Sequence, residues 1–403
     1  MNVSFDELYQ AYADCRKHKR STESCIDFEF NEIANLNTLC RELNEGTYRI
    51  SPSYVFVHHE PDTNKYREVF AANFRDRIVQ HLVVNRIESL FEHVWTDRSF
   101  SCRKGKGTKY AADTLHEDIK RVTDNYTKDN IYVATYDIDS FFASIDKNIM
   151  YNMIKRIVID NKDRLTVHDK DKASKKDVNF TLHLIRMIVF NDCRKNCIFK
   201  QPRSFWKNIP GHKSAFHSPD NKYLAVGNIT SQMFANMLLV NLDKKLESMA
   251  SAYGRYVDDM YAITEGIDQQ KTIHIAISEE LSKLGLKLKE CKTHIQKYDK
   301  GVKFVGKIVK CQRMYIVNKT KGKCIKKIRY FHEFWKEQGG VTFGDFHYMI
   351  GVVNSYLGLF KYCNMFKIKK RIIKSECMMM FWKYCRVKSF SSIKSLQKYR
   401  RHS

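Results

Sequence analysis

The sequence predicts an α+β chain, and three observations carry that prediction. Long stretches place apolar residues at helical spacing, short β-rich runs occur in pairs, and the C-terminal quarter is dominated by helical patterns. With 403 residues, 43% of them hydrophobic, the chain can bury a large core, and its length points to two or three subdomains.

Residues 1–50 alternate polar and apolar positions at helical spacing and predict two or so helices. In "SFDELYQAYADC" Ser4 is an N-cap candidate, with Glu7 three residues on. "SPSYVFVHHEPDTNKYREVFAAN" (Ser51–Asn73) reads as a hairpin, two β-rich runs around a turn at Pro61-Asp62-Thr63-Asn64. "FRDRIVQHLVVNRIESLFEHVW" (Phe74–Trp95) returns to the helical period. "IYVATYDIDSFFASID" (Ile131–Asp146) begins as a strand and turns into a helix. Residues 161–177 are rich in charge and read as an exposed insertion. "ITSQMFANMLLVNLDKKLE" (Ile229–Glu247) reads as one long amphipathic helix. A strand follows at "GRYVDDMYAI" (Gly254–Ile263), then a helix near Glu279–Leu284, a strand around Val302–Val309, and helices beyond residue 320.

The formal charge is +25, and it is uneven. Residues 301–403 hold 24 Lys/Arg against 4 Asp/Glu, a net of +20, which leaves +5 for residues 1–300. A surplus of this size points to a polyanionic partner. The basic residues are interleaved with aromatics in "RYFHEFWK" (Arg329–Lys336) and "FKYCNMFKIKKR" (Phe360–Arg371), a mixture suited to phosphate contacts and stacking. The plainer alternative is a helical bundle with a solvated basic face. Twelve scattered cysteines and an opening unlike a secretory signal predict reduced thiols and a cytoplasmic location. Cys193 and Cys197 have no second Cys/His pair of matching spacing, and no apolar run reaches membrane-spanning length.

Chemistry concentrates at "GRYVDDMYAI". Two adjacent carboxylates in a strand-like run either sit in a solvated turn or are compensated by positive charge. Nucleotidyl transfer by two Mg²⁺ ions about 3.5–4 Å apart needs gathered carboxylates. Asp258 and Asp259 at a hairpin tip supply two, and Asp137 in "TYDIDSFFASID", at the end of a β-run, is the candidate third.

These segments resemble a reverse transcriptase, in the family's order, from about Tyr54 to Ile308. "YREVFAANFRDRIVQHLVVN" is similar to the finger segment, with "SFSCRKGKGTKYA" behind it, and "YDIDSFFASID" to the first catalytic motif. "VGNITSQMFANMLLVNLD" is similar to the nucleotide-binding turn and helix, "YVDD" to the catalytic hairpin, "LGLKLKECKTHI" to the motif that contributes a lysine, and "FVGKIV" to the primer grip. The resemblance implies a right-hand polymerase fold with fingers, antiparallel-sheet palm and helical thumb. It places an N-terminal helical extension at 1–52, fingers at 53–130, palm at 131–310 with a finger insertion at about 160–225, and a basic helical thumb at 311–403. It also implies an RNA-directed DNA polymerase that uses dNTPs, a template RNA and its RNA/DNA hybrid.

Residue by residue, the resemblance assigns Asp137, Asp258 and Asp259 to catalysis and to two Mg²⁺ ions (or Mn²⁺), with the Ile138 carbonyl as a further ligand. Asp139 is read as structural. Ser140 and Phe141 offer backbone N–H groups to a triphosphate, and Phe142 matches the aromatic that excludes a ribose 2′-OH, with core packing as its alternative. Arg67 matches the finger arginine on the triphosphate. Where many relatives carry a lysine, this chain has His58 and His59, so that contact passes to Lys65 or is missing. Lys292 matches the lysine that protonates the leaving pyrophosphate, with a solvated lysine as its alternative.

"VGNITSQ" (Val226–Gln232) departs from the common turn, which begins with glutamine and ends in serine-proline. It resembles the enzymes of diversity-generating retroelements. At Val226 an amide that could hydrogen-bond around the nucleotide is replaced by a side chain with no donor or acceptor. The implied consequence is error-prone copying at template adenines, shaped by Val226 and Gln232, which the resemblance places with Gly227 in the dNTP site. Relatives of this type also work with a small basic accessory protein. A retron-like or phage-defence reverse transcriptase is the alternative within the family, and a catalytically dead nucleic-acid-binding module the alternative outside enzymes.

Overall fold

A computed structural model describes residues 2–17, 19–60, 65–168, 172–382, 384–389 and 392–395. The chain is α+β, and it divides into two compact units: residues 1–107 with 136–294, and residues 108–135 with 295–403.

The first unit opens with three helices, α1 (Phe5–Arg16), α2 (Glu23–Phe30) and α3 (Glu32–Glu45), one more than the "two or so" of the periodicity. Ser4 caps α1 as expected, its Oγ accepting the Glu7 N–H at 3.2 Å. Strands β1 (Ser53–Glu60) and β2 (Lys65–Ala71) pair antiparallel, from Tyr54 opposite Ala71 to Glu60 opposite Lys65. The expected turn at Pro61–Asn64 lies outside the described residues. Helix α4 (Phe74–Val94) holds the fully buried Arg86, whose Nε and Nη2 donate to Glu7 at 2.6 and 2.7 Å. A guanidinium removed from water requires such a carboxylate, so this pair ties α1 to α4.

Helix α5 (Thr108–Val122) belongs to the second unit, and strand β3 (Ile131–Tyr136) runs up to the residues that return the chain to the first. Then come α6 (Phe141–Ser144), α7 (Lys147–Asp160), α8 (Lys175–Phe190) and β4 (Cys197–Phe199), which pairs parallel with β1. The segment before α8 is exposed over most of its described residues, as its charge suggested, with a few buried anchors. Leu165 and Val167 are buried, and Ser174 and Asp177 close a capping box. Residues 169–171 of it lie outside the described residues.

The single helix expected over Ile229–Glu247 is two, α9 (Ile229–Leu238) and α10 (Val240–Met249), broken at Leu239. The break coincides with a diverted acceptor: the Asn236 carbonyl takes a guanidinium N–H of Arg255 at 3.0 Å. Strands β5 (Ala252–Tyr256) and β6 (Asp259–Glu265) form the expected hairpin, and α11 (Ile267–Lys283) covers the predicted helix.

In the remaining chain β7 (His294–Lys297) precedes a three-stranded antiparallel sheet of β8 (Val302–Phe304), β9 (Lys307–Lys310) and β10 (Arg313–Ile316), with β9 central. The single strand expected over 302–309 is therefore a hairpin. Val305 and Gly306 both adopt left-handed backbone, φ 41° and 77°, the conformation a two-residue turn demands. Helices α12 (Asn318–Glu337), α13 (Phe343–Lys361), α14 (Phe366–Ile373) and α15 (Met379–Trp382) follow, as the pattern predicted. Phe331, Val353, Leu357, Phe360 and Phe381 form their shared core. A strand pair, β11 (Cys385–Ser389) with β12 (Ser392–Ser395), follows α15 and was not foreseen. No helix among the described residues is long and apolar enough to cross a membrane.

Candidate active site

The three aspartates come from two backbone features of the first unit. Asp137 leaves β3 into a strip held by residues 287–289. The Asp137 carbonyl accepts from the Lys289 N–H at 2.8 Å, the Asp139 N–H donates to the Lys287 carbonyl at 2.9 Å, and Ile138 lies opposite Leu288 in an antiparallel bridge. This fixes a buried carboxyl, Asp137 being 5% exposed. Asp258 and Asp259 stand at the β5–β6 turn, where Tyr256 pairs with Asp259 across two central residues.

That turn is strained and braced. Val257 has φ 58°, a left-handed backbone that β-branched residues avoid. Arg255, fully buried, donates to the Val257 carbonyl at 3.0 Å and to Asn236 Oδ1 at 2.8 Å. Its charge is met by Asp243, through Nε to Oδ1 at 2.7 Å and Nη2 to Oδ2 at 2.5 Å. Tyr253 adds a hydroxyl bond to Asp243 at 2.8 Å. Gly254 is required beside them, since a Cβ there would lie 2.5 Å from the Tyr261 ring and 2.7 Å from Phe100. The positive charge in the GRYVDD stretch thus braces the backbone, and its ion partner is Asp243.

The catalytic candidates form one electrostatic group. Burial, then the charges of Asp259 and Asp137, push the Asp258 carboxyl up to about 7. Lys292 sits on a short 3₁₀ turn, Glu290–Lys292, and its ammonium is ion-paired with Asp137 Oδ2. Burial opposes that ammonium, yet Asp137, Asp259 and Asp258 together push its pKa up. Lys289 makes a 3.4 Å contact with Asp139.

Asp137, Ile138, Asp258 and Lys292 line a cleft of about 320 Å³ with Arg67, Ser140, Phe141, Phe142 and Val226. Ser140 has left-handed backbone, φ 46°, which turns the chain into α6. Phe141 is buried, Phe142 is half-buried, and their rings meet edge to face at 5.4 Å. Arg67 is ion-paired with Glu60 on the neighbouring strand. The Val226 carbonyl accepts from the Phe70 N–H at 3.1 Å. Gly227, φ 112°, lets the turn press on β2, where a Cβ would come within 2.8 Å of Val69.

Gln232 is not brought to this cleft. It is exposed on α9, accepts from Cys102 Sγ at 3.6 Å, and lines a separate surface cavity with Gly227, Arg77 and His81. Gln232 stands inside α9, whereas Val226 lies in the turn before that helix.

Sequence reasoning missed three contributors. Arg255 could have been suspected, since an arginine inside an apolar strand requires a buried acid. Glu68 and Lys213, which also line the cleft, carry no local signal, because the segment that brings Lys213 there is irregular. Among the described residues no group of three or more His, Cys, Asp or Glu side chains is assembled to hold a metal ion. The donors nevertheless fit one in kind. Three carboxylates that repel one another, one of them with its pKa raised by burial and then by its neighbours, offer the oxygen set that suits Mg²⁺.

Solved structures and one family model are similar to this chain. The solved structures found include apo telomerase from Candida tropicalis truncated from its C-terminal domain, with 14% identity and a TM-score of 0.48 over 66% of this chain and 55% of that one. Full apo telomerase from Candida tropicalis gives 13% and 0.46 over 81% and 59%. Telomerase from Candida albicans in complex with a fragment of telomeric RNA gives 11% and 0.44 over 80% and 57%. This chain thus spans between 55% and 59% of their length. No curated protein matches it. The model of the reverse transcriptase (RNA-dependent DNA polymerase) family matches residues 58–309, well over half of the chain, and the protein belongs to that family.

Proposed function

We propose that this protein is an RNA-directed DNA polymerase making cDNA by two-metal nucleotidyl transfer. The observation that carries the reading is the convergence of Asp137, Asp258 and Lys292 with Arg67 and Phe142 on one cleft, with Asp259 electrostatically coupled to them. Bound Mg²⁺, held by Asp137, Asp258, Asp259 and the Ile138 carbonyl, would stabilise charge on the attacking and leaving oxygens. The remaining roles belong to the chain. Arg67 clamps phosphoryl oxygens, the turn at Ser140–Phe141 presents N–H groups, and Lys292 holds a proton for the departing pyrophosphate. In this reading residues 1–52 are the N-terminal extension, 53–130 the fingers, 131–310 the palm with its insertion at about 160–225, and 311–403 a basic thumb gripping an RNA/DNA hybrid through phosphates and shape. In this reading the protein works in the cytoplasm, where its twelve free cysteines would stay reduced.

Phe142 is the proposed barrier to ribonucleotides. Phe142→Ala is expected to raise ribonucleotide incorporation relative to dNTPs by on the order of 10- to 100-fold. Competition between dTTP and UTP on one primer measures it, and unchanged discrimination would assign Phe142 to packing alone.

The proposal extends to the diversity-generating type on the strength of Val226, an apolar residue on the cleft wall. Since Gln232 lies elsewhere, Val226 carries the selectivity argument, and the small basic accessory protein stays part of the same reading. Primer extension on a defined RNA tests the activity, and sequencing the cDNA tests the type. Errors concentrated opposite template adenines are expected, and Val226→Gln should reduce them severalfold. Adenines copied as faithfully as the other bases would remove this reading.

A further inference from the structure

The cleft holds more positive charge than its carboxylates neutralise. Lys65, Arg67, Lys213, Lys289 and Lys292 all line it. Three of them are engaged: Arg67 with Glu60, Lys289 with Asp139, and Lys292 with Asp137. Among the described residues no carboxylate pairs with Lys65 or Lys213. Two unpaired ammoniums facing one concavity repel each other and their neighbours, a cost that an anionic ligand removes.

Lys213 reaches the cleft on a segment built to hold it. Residues 203–217 form three short 3₁₀ turns, Arg203–Asn208, Gly211–Lys213 and Ala215–His217, the first two set by Pro202 and Pro210. A single buried carboxylate fastens the segment to β2. Glu68, 3% exposed, accepts from Trp206 Nε1 at 2.7 Å, Ser214 Oγ at 3.0 Å and the Ala215 N–H at 2.6 Å. Phe199, Trp206 and Phe216 pack beneath, against Phe70. Ser214 and Ala215 are buried while Lys213, directly before them, is exposed. The anchor fixes the backbone of Lys213 and leaves its ammonium to the cleft.

Resting on the proposed polymerase reading, we propose that Lys213 binds the triphosphate of the incoming nucleotide. It acts with Lys65 where this chain carries His58 and His59. Glu68 is the positioning residue that holds Lys213 on the cleft wall. Its neighbour Arg67 serves the same ligand, so strand β2 both contacts the phosphates and carries the anchor.

A charge-assisted contact to a phosphate oxygen makes a contribution worth about tenfold or more in affinity. Titration calorimetry of the full chain with inorganic tripolyphosphate reads this without catalysis. Lys213→Ala is expected to weaken the dissociation constant about tenfold and Lys213→Arg to restore it, with thermal stability unchanged because the side chain is exposed. In primer extension, Lys213→Ala should raise KM for dTTP by a similar factor and change kcat less. Glu68→Gln should shift the same KM in the same direction. Equal tripolyphosphate affinity in wild type and Lys213→Ala would overturn the inference. A wild-type protein that extends no primer, with the affinity difference intact, would instead overturn the polymerase reading and leave the phosphate site standing.

Discussion

Asp258→Asn is expected to reduce Mg²⁺-dependent dNTP incorporation by about 10³-fold or more, the scale of loss when charge stabilisation at the reacting centre is removed. The same substitution should stabilise the metal-free protein. Burial and two neighbouring carboxylates raise the folded pKa of Asp258 to about 7, above an unfolded value near 4. Folding therefore favours the protonated form. The stability that protonation contributes is fully present below about pH 4 and is lost as pH rises through about 7. At pH 8 the native carboxylate is the disfavoured form, and asparagine relieves it by about 1–3 kcal/mol. Thermal unfolding in chelator should show the variant melting higher than wild type at pH 8 and equal to it near pH 4. A lower melting temperature at pH 8 would make Asp258 a structural residue. The proton on Asp258 also competes with a cation, so apparent Mg²⁺ affinity should strengthen between pH 6 and pH 8.

Asp243→Ala should cost about 3–5 kcal/mol of stability, because it leaves the Arg255 guanidinium buried without its counter-charge. Both side chains are completely buried, so solvent cannot replace the lost partner. The damage should reach the site. Arg255 holds the Val257 carbonyl beside the two aspartates, and freeing the guanidinium releases a residue already in left-handed backbone. Denaturant unfolding measures the stability loss, and a double-mutant cycle with Arg255→Met measures the coupling. The double variant should lose clearly less than the sum of the two single losses. Additive losses would mean that Arg255 is satisfied by Asn236, Ser99 and Val257 without Asp243.

Much of the site was legible because its residues are unusual where they stand. Adjacent aspartates in an apolar strand, and an aspartate ending a β-run, require an explanation; Asp258 and Asp137 line the cleft, and Asp259 is coupled to Asp258 by its charge. Element types were legible wherever the apolar period was long, as in α4 and α11. Interruptions were not, because their causes are either distant in sequence or masked by an apolar run. The α9–α10 break follows a carbonyl diverted to Arg255, and the β8–β9 turn depends on two left-handed residues inside a run that reads as strand. Gln232 was grouped with Val226 by a motif, whereas Val226 lies in the turn before α9 and Gln232 inside the helix, on a separate cavity. Lys213 was invisible because a buried glutamate on another strand decides where it sits.

The central claim is that this cleft copies RNA into DNA, and primer extension tests it most directly. Purified full-length protein should be given a DNA primer on a defined RNA template, Mg²⁺ and the four dNTPs, with Asp258→Asn alongside. The account predicts extension that follows the template sequence, requires Mg²⁺ and is absent in the variant. Extension that persists in Asp258→Asn, or that ignores the template, would contradict it.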